Sequence, residues 1–175
     1  MYGQHYESCI TIKLTLAKTC RHEGLFDESL QLARACLQSL GHVLGSTQLL
    51  GIETLVENAS CQQCLSLYDN ALEQYCDACD SIARSLGLHH PVFVSALCKR
   101  AECLAEVGKY DEAIGHLDAA VRRHEMASDD SMGAIADLLS TRALVYFENS
   151  QYDLCLQDLE RSFTILRKQV ADDNT

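Results

Sequence analysis

Four cysteines form two CxxC pairs, a pattern that can bind zinc. Cys61 and Cys64 make the first pair, Cys76 and Cys79 make the second, and eleven residues separate them. Tetrahedral zinc takes thiolates at about 2.3 Å. The helical periodicity places the pairs on opposite arms of one hairpin, with an axial offset of ~10 Å at ~1.5 Å per residue. We therefore expect free, packed thiols, with no metal and no cofactor.

Other groupings of reactive residues do not form a recognisable catalytic signature. His89 and His90 precede Pro91 in a turn, where adjacent side chains point apart, so turn structure is the better interpretation. A redox role for either CxxC pair needs a strand-to-helix context that the periodicity does not offer. Nucleophile triads, phosphate loops and paired carboxylates are not recognisable either. The sequence therefore predicts a protein that is not an enzyme.

Composition and charge narrow the class of partner and the compartment. Against 14 Lys and Arg stand 25 Asp and Glu, a net charge of -11 that opposes nonspecific binding of phosphate groups. The first residues, MYGQHYES, do not resemble a signal peptide, and no window approaches the ~18 apolar residues of a membrane span. We expect a cytoplasmic protein with reduced thiols, no nucleic-acid partner and no membrane insertion.

A motif recurs four times at a spacing of 42 residues. The segments are GLFDESL, SLYDNAL, GKYDEAI and SQYDLCL. Each contains an aromatic residue followed by Asp, and the aromatics are Phe26, Tyr68, Tyr110 and Tyr152. Nine residues before each aromatic stands an alanine: Ala17, Ala59, Ala101 and Ala143. Three residues after each aromatic stands a small residue: Ser29, Ala71, Ala113 and Cys155.

This register predicts helical hairpins. Small residues allow close approach of paired helices, and Gly24 and Gly108 suit a left-handed cap between them. Apolar residues recur at three- and four-residue spacing with a single proline, so the fold class is all-α. The predicted first helices span 5–22, 48–64, 92–107 and 131–148, and the second helices span 26–40, 68–85, 110–126 and 152–169. A hairpin cannot bury its own apolar face, so we expect one stacked domain, 1–175. Its repeats are about 5–41, 47–85, 89–127 and 131–169, with a short polar tail, 170–175.

Residues 97–120, LCKRAECLAEVGKYDEAIGHLDAA, resemble a tetratricopeptide repeat. The longer period and the turn formed by Leu86, Gly87, His90 and Pro91 are similar to the repeats of kinesin light chains and nephrocystin-like proteins. The second and fourth copies lack the glycine between helices, and only the third keeps His-Pro. The resemblance implies a right-handed superhelix of four hairpins, whose first helices line a concave groove that holds a segment of a partner protein.

The resemblance also assigns positions in this groove. The first two copies supply Leu14, Lys18, Arg21, His22, Glu53, Glu57 and Gln63. The last two supply Lys99, Glu102, Glu106, Asp137, Thr141, Leu144 and Glu148. One branch of the family grips acidic chaperone tails with lysines and asparagines, but Leu14, Lys18 and Glu57 depart from that pattern. A largely acidic groove favours a partner segment that carries Lys or Arg.

Two interpretations of function stay open at this point. The first is a protein-binding adaptor or scaffold. The second is an architectural spacer or oligomerisation module that acts through its edges, and this second alternative includes the chain being a fragment of a larger repeat protein. Closely spaced apolar Ile12, Leu14 and Leu16 indicate that the N-terminal edge needs a partner or a second copy of itself. The last helix is expected to be a polar cap because it carries several charged residues: Asp158, Glu160, Arg161, Arg167 and Lys168.

Overall fold

The computed structural model describes residues 2–40, 48–127 and 132–172, and in these ranges every regular element is an α-helix. The helices are α1 (Tyr2–His22), α2 (Phe26–Leu40), α3 (Gln48–Cys64), α4 (Tyr68–Ser85), α5 (Pro91–Glu106), α6 (Tyr110–Met126), α7 (Met132–Glu148) and α8 (Tyr152–Asp172). The all-α prediction is confirmed, and the helix bounds agree with it to within three residues.

The described chain forms two compact units, Met1–Ser81 and Ile82–Thr175. We call them unit 1 and unit 2. Whether they make one domain, as the sequence predicts, stays a prediction. The predicted repeat limits at 41, 47 and 131, and the last tail residues 173–175, lie outside the described residues.

The repeated alanines lie where paired helices meet. Ala17, Ala59 and Ala143 are fully buried, and Ala101 is 1% exposed. Their small partners on the second helices are buried too, and the Ser29 hydroxyl donates a hydrogen bond to the Ala17 carbonyl oxygen at 2.6 Å. Because a larger side chain at either position would separate the helices, these contacts fix the distance within each hairpin.

The aromatic residue of each copy is the first residue of the second helix, and the following Asp lies in the first turn. A carboxylate there interacts favourably with the positive end of the helix dipole. In the last copy Tyr152 also packs edge-on against Phe147, with 5.7 Å between ring centroids. The motif therefore marks helix initiation in every copy.

One residue between the paired helices is left-handed in all four copies. Gly24 has a φ of 79° and Gly108 a φ of 80°, whereas Ser66 and Ser150 adopt a φ of 59° without being glycine. The backbone amides of Gly108 and Lys109 donate to the Ala105 and Leu104 carbonyl oxygens, closing the end of α5. The geometry of the turn is therefore kept even where the sequence lacks the glycine that eases it.

A partly buried ion-pair network joins the three helices α6, α7 and α8 in unit 2. The Arg142 guanidinium on α7 donates to both Asp158 carboxylate oxygens, at 2.7 and 2.6 Å, and also to Asp118. The hydrogen bonds with Asp158 are the main reason that the pKa of Arg142 is raised. Asp158 is 6% exposed, so its expected role in a polar outer cap is wrong: it faces inward.

The rest of the expected polar cap is interrupted by apolar side chains. Along α8, Leu156, Leu159, Phe163 and Leu166 are 58%, 44%, 66% and 45% exposed. We refer to these four residues as the α8 stripe. The charged residues around them are exposed, but Arg161 forms an ion pair with Glu125 of α6. The exposed surface of α8 therefore mixes charged and apolar side chains, so the expected polar cap is interrupted.

Substitution of the left-handed residues should change stability in opposite directions. Ser150→Gly should stabilise unit 2 by about 1 kcal/mol, because a non-glycine residue in this conformation costs roughly 1–2 kcal/mol. Gly108→Ser, the matched reverse change, should destabilise it by a similar amount. Urea denaturation monitored by circular dichroism would measure both, and a destabilising Ser150→Gly would contradict the assignment of strain.

The ion pairs of Arg142 give a second prediction. Arg142→Met should destabilise unit 2 by about 3–5 kcal/mol, because it leaves the Asp158 carboxylate buried without its partner. The control is Arg161→Met, which breaks the more exposed pair with Glu125 and should change stability by less than ~1 kcal/mol. Equal losses in thermal or chemical denaturation would show that the Arg142 network does not hold the three helices together.

Candidate functional site

The predicted groove residues of unit 1 lie on α1 and α3, and their charges pair across the two helices. The Lys18 ammonium is 3.7 Å from the Glu53 carboxylate. The Arg21 guanidinium donates to Glu57 at 2.7 Å, and Glu57 is only 4% exposed. Opposite charges at this face are therefore largely neutralised by one another, and Glu57 is a buried partner of Arg21.

The three other predicted residues of unit 1 differ in exposure and in their contacts. His22 is exposed at the end of α1, where a partner could reach it. Leu14 is 2% exposed and belongs to the core, so it offers no surface to a partner. Gln63 accepts a hydrogen bond from the Tyr75 hydroxyl at 2.9 Å, which ties α3 to α4.

In unit 2 the predicted groove residues lie on α5 and α7, which pack against each other. Their spacing by three or four residues places them on one face of each helix. We call the four carboxylates of this set the acidic face: Glu102, Glu106, Asp137 and Glu148. All four residues are exposed, as is Leu144 at 55%, while Lys99 is half-buried. Thr141 is 7% exposed and donates to the Asp137 carbonyl oxygen, so it contributes to packing.

The carboxylates of the acidic face act on one another. Partial desolvation of its carboxylate raises the pKa of Glu102. Lys99 opposes this shift, and the charges of Glu106 and Glu148 reinforce it. Negative charges on α5 and α7 are therefore close enough to repel. A cationic group placed between them would relieve that repulsion.

The cysteines are free thiols, and most of them are buried. Burial raises the pKa of Cys61, Cys98 and Cys103 to about 11, so they are protonated and unreactive at neutral pH. Cys61 and Cys79 are buried, whereas their CxxC partners Cys64 and Cys76 are not. In the described ranges no three His, Cys, Asp or Glu side chains are grouped as metal ligands would be. Within the same ranges no helix is long and apolar enough to cross a bilayer.

The structure contains two clefts that the sequence did not reveal. A cleft of about 380 Å³ in unit 1 is lined by Arg34, Glu73 and several carboxamides: Gln38, Asn58, Gln62, Asn70 and Gln74. A cleft of about 640 Å³ in unit 2 is lined by residues of α6, α7 and α8, including His124. Four-residue spacing of Asn58 with Gln62, and of Asn70 with Gln74, is visible in the sequence. The meeting of these pairs across α3 and α4 is not.

Known structures share this arrangement of helices. A crystal structure of BtubC (BKLC) from P. vanneervenii aligns with 93% of the chain at 16% identity and a TM-score of 0.76, and the chain spans 64% of that protein. A kinesin light chain with nearly identical TPR-like repeats from Podosopora anserina aligns with 91% of the chain at 19% identity and a TM-score of 0.76, over 76% of its own length. MamA aligns with 93% of the chain at 17% identity and a TM-score of 0.60, over 81% of its own length. No protein-family model and no curated protein sequence matches the chain.

These neighbours define the class of the protein: it has the all-α fold of tetratricopeptide-type repeat proteins. More particularly, the neighbours include kinesin light chain repeats, so the likeness predicted from the 42-residue period is confirmed at the level of the fold.

One buried histidine in unit 2 gives a pH dependence. His124 is 2% exposed, and neither ring nitrogen has a hydrogen-bond partner within the described part of the chain. Its ring packs edge-on against His89, with 5.1 Å between centroids. Burial lowers the pKa of His124, and the charges of His89 and Arg123 lower it further. Below pH ~6.5 the unfolded state therefore binds a proton that the folded state resists.

We expect unit 2 to lose stability as the pH falls from about 6.5 towards the lowered pKa of His124. His124→Phe should reduce this loss, and it should be neutral or stabilising at pH 7.5 because it removes two unpaired buried nitrogens. The measurement is the urea midpoint as a function of pH; parallel profiles for the native chain and His124→Phe would refute the assignment.

Proposed function

We propose that the chain is a non-catalytic adaptor that binds a basic segment of a partner protein at the acidic face of unit 2. The observation that carries this proposal is the exposure of four carboxylates on the adjacent helices α5 and α7. The shared fold with repeat proteins that act as interaction scaffolds supports the same class of function. Lys99 is the single base among the predicted positions on these two helices.

Electrostatics favour a cationic ligand at this face. The charges of Glu106 and Glu148 raise the pKa of Glu102, so the carboxylates repel one another in the free protein. Lys or Arg side chains of a ligand would remove this repulsion. The net charge of -11 adds a long-range attraction that speeds encounter with a basic segment. Leu144 offers an apolar contact among the carboxylates, where the aliphatic part of a lysine side chain could pack.

Unit 1 contributes less to recognition of charge. Its predicted groove residues form the pairs Lys18–Glu53 and Arg21–Glu57, so a cationic ligand would have to displace existing cations. His22 is exposed and free to contact the partner by hydrogen bonding. The proposed site therefore centres on unit 2. In this proposal the protein acts in the cytoplasm and does not bind nucleic acid.

The test compares peptide affinities for the native chain and a variant of the acidic face. Glu102→Gln, Glu106→Gln and Glu148→Gln together remove three exposed charges, and Glu57 is left unchanged because it is buried against Arg21. At about 0.5 kcal/mol for each exposed pair, the affinity for a lysine-rich peptide should fall about tenfold. Fluorescence anisotropy at low salt would measure it, and added salt should weaken binding.

The matched control removes three exposed charges from a second helix: Glu73→Gln, Asp77→Asn and Asp80→Asn on α4. This control variant has the same net charge as the variant of the acidic face, but it should bind the lysine-rich peptide as tightly as the native chain does. A glutamate-rich peptide should bind neither protein. If both variants lose affinity equally, attraction depends on net charge alone and the acidic face is not a site.

A further inference from the structure

Helix α8 carries two neighbouring lines of residues, one buried and one exposed. Cys155, Asp158 and Ser162 are buried, and Ser162 donates a hydrogen bond to the Ala136 carbonyl oxygen of α7. The α8 stripe lies one residue further along at each step, so it is rotated about 100° around the helix from the buried line. Small and polar side chains are therefore packed inside, while four large apolar ones face solvent.

The α8 stripe has the spacing of a coiled-coil seam. Its residues follow at intervals of three, four and three, which is the alternation of a and d positions in a heptad. Exposed Tyr152, with Phe147 packed edge-on against it, continues the apolar surface by one more step towards the start of α8. Contiguous apolar surface of this kind marks an interaction site more often than an ordinary solvated helix face.

The seam is complementary to itself when one copy runs antiparallel to the other. With a two-fold axis at Arg161, Leu156 meets Leu166 of the second copy, and Leu159 meets Phe163. Each layer then combines one a position with one d position, as in an antiparallel helix pair. All four residues of the stripe are covered in this register, and the same patch is used on both copies, as a closed dimer requires.

The flanking charges favour this antiparallel arrangement. Asp153 and Arg167 occupy the e positions near the two ends of the seam and are both exposed. In the antiparallel pair Asp153 of each copy lies beside Arg167 of the other, so two opposite-charge pairs form. A parallel pair would instead place Arg167 beside the neutral g position Ser162, and Asp153 would have no g position on α8 as its partner. Glu160, the middle e position, meets Glu160 of the second copy near the axis.

We propose that the α8 stripe is the interface of an antiparallel homodimer, with a second copy of this chain as its occupant. Three features of α8 support this occupant over others: the heptad spacing, the two-fold symmetry of the layers, and the exchange of Asp153 with Arg167. The residues from Tyr152 to Arg167 span about 23 Å at ~1.5 Å per residue. The dimer uses α8 and leaves the acidic face on α5 and α7 available, so it does not depend on the proposed peptide binding.

Sedimentation velocity of the full chain over a range of concentrations is the first test. The native chain should be dimeric at about 100 μM, and Phe163→Glu should raise the dimer dissociation constant at least about tenfold by placing a carboxylate in both central layers. Ile12→Glu is the matched control, because Ile12 is equally exposed, at 69%, on α1 at the other end of the chain. A native chain that stays monomeric, or a dimer lost with Ile12→Glu and kept with Phe163→Glu, would overturn the proposal.

Charge exchange tests the orientation without touching the apolar residues. Asp153→Arg and Arg167→Asp should each weaken the dimer about tenfold, and the two changes combined in one chain should restore it. Glu160→Gln should tighten the dimer by removing the like-charge contact near the axis. Failure of the combined variant to recover would exclude the antiparallel register. Peptide affinity at the acidic face should be the same in all these variants, which separates failure of the dimer from failure of the adaptor function.

Discussion

The close contact between small side chains on paired helices is the constraint on which the rest of the structure depends. Ala17, Ala59, Ala101 and Ala143 are buried at the same point of each hairpin. This contact sets the spacing of the two helices, and the spacing decides which residues face inward. The positions of the carboxylates on α5 and α7, and of the apolar side chains on α8, follow from it. A side chain larger by a few atoms there would alter every surface that a partner could meet.

Local rules were enough to predict the helices. The recurrence of Ala, an aromatic residue and Asp located the start of each second helix, because these residues satisfy packing and dipole requirements that do not depend on the rest of the chain. The resemblance of the third copy to known repeats then identified the fold. Ser66 and Ser150 show that register also carries information where composition does not: both are left-handed because the copies around them impose the turn.

Contacts between different helices could not be predicted in the same way. Glu57, Asp158 and His124 look like ordinary polar residues on helix surfaces, yet they are buried because a neighbouring helix covers them. Spacing of three and four residues identifies a face but not what lies against it. For the same reason the sequence predicted a polar cap on α8 and did not reveal that a line of apolar side chains stays exposed there. In the predicted groove of unit 1, the carboxylates Glu53 and Glu57 proved to be paired with Lys18 and Arg21.

The buried thiols have a consequence for the lifetime of the protein. Cys61 in unit 1 and Cys98 and Cys103 in unit 2 are shielded by packing, which also keeps them protonated. Transient local opening would expose them to oxidants, and a sulfenic acid or mixed disulfide formed in the open state cannot fit back between closely packed helices. Each opening event would thus risk a modification that persists until a reductant removes it. The oxidation state of the buried cysteines would therefore depend on how often the helices open. The folded protein should persist longest under reducing conditions.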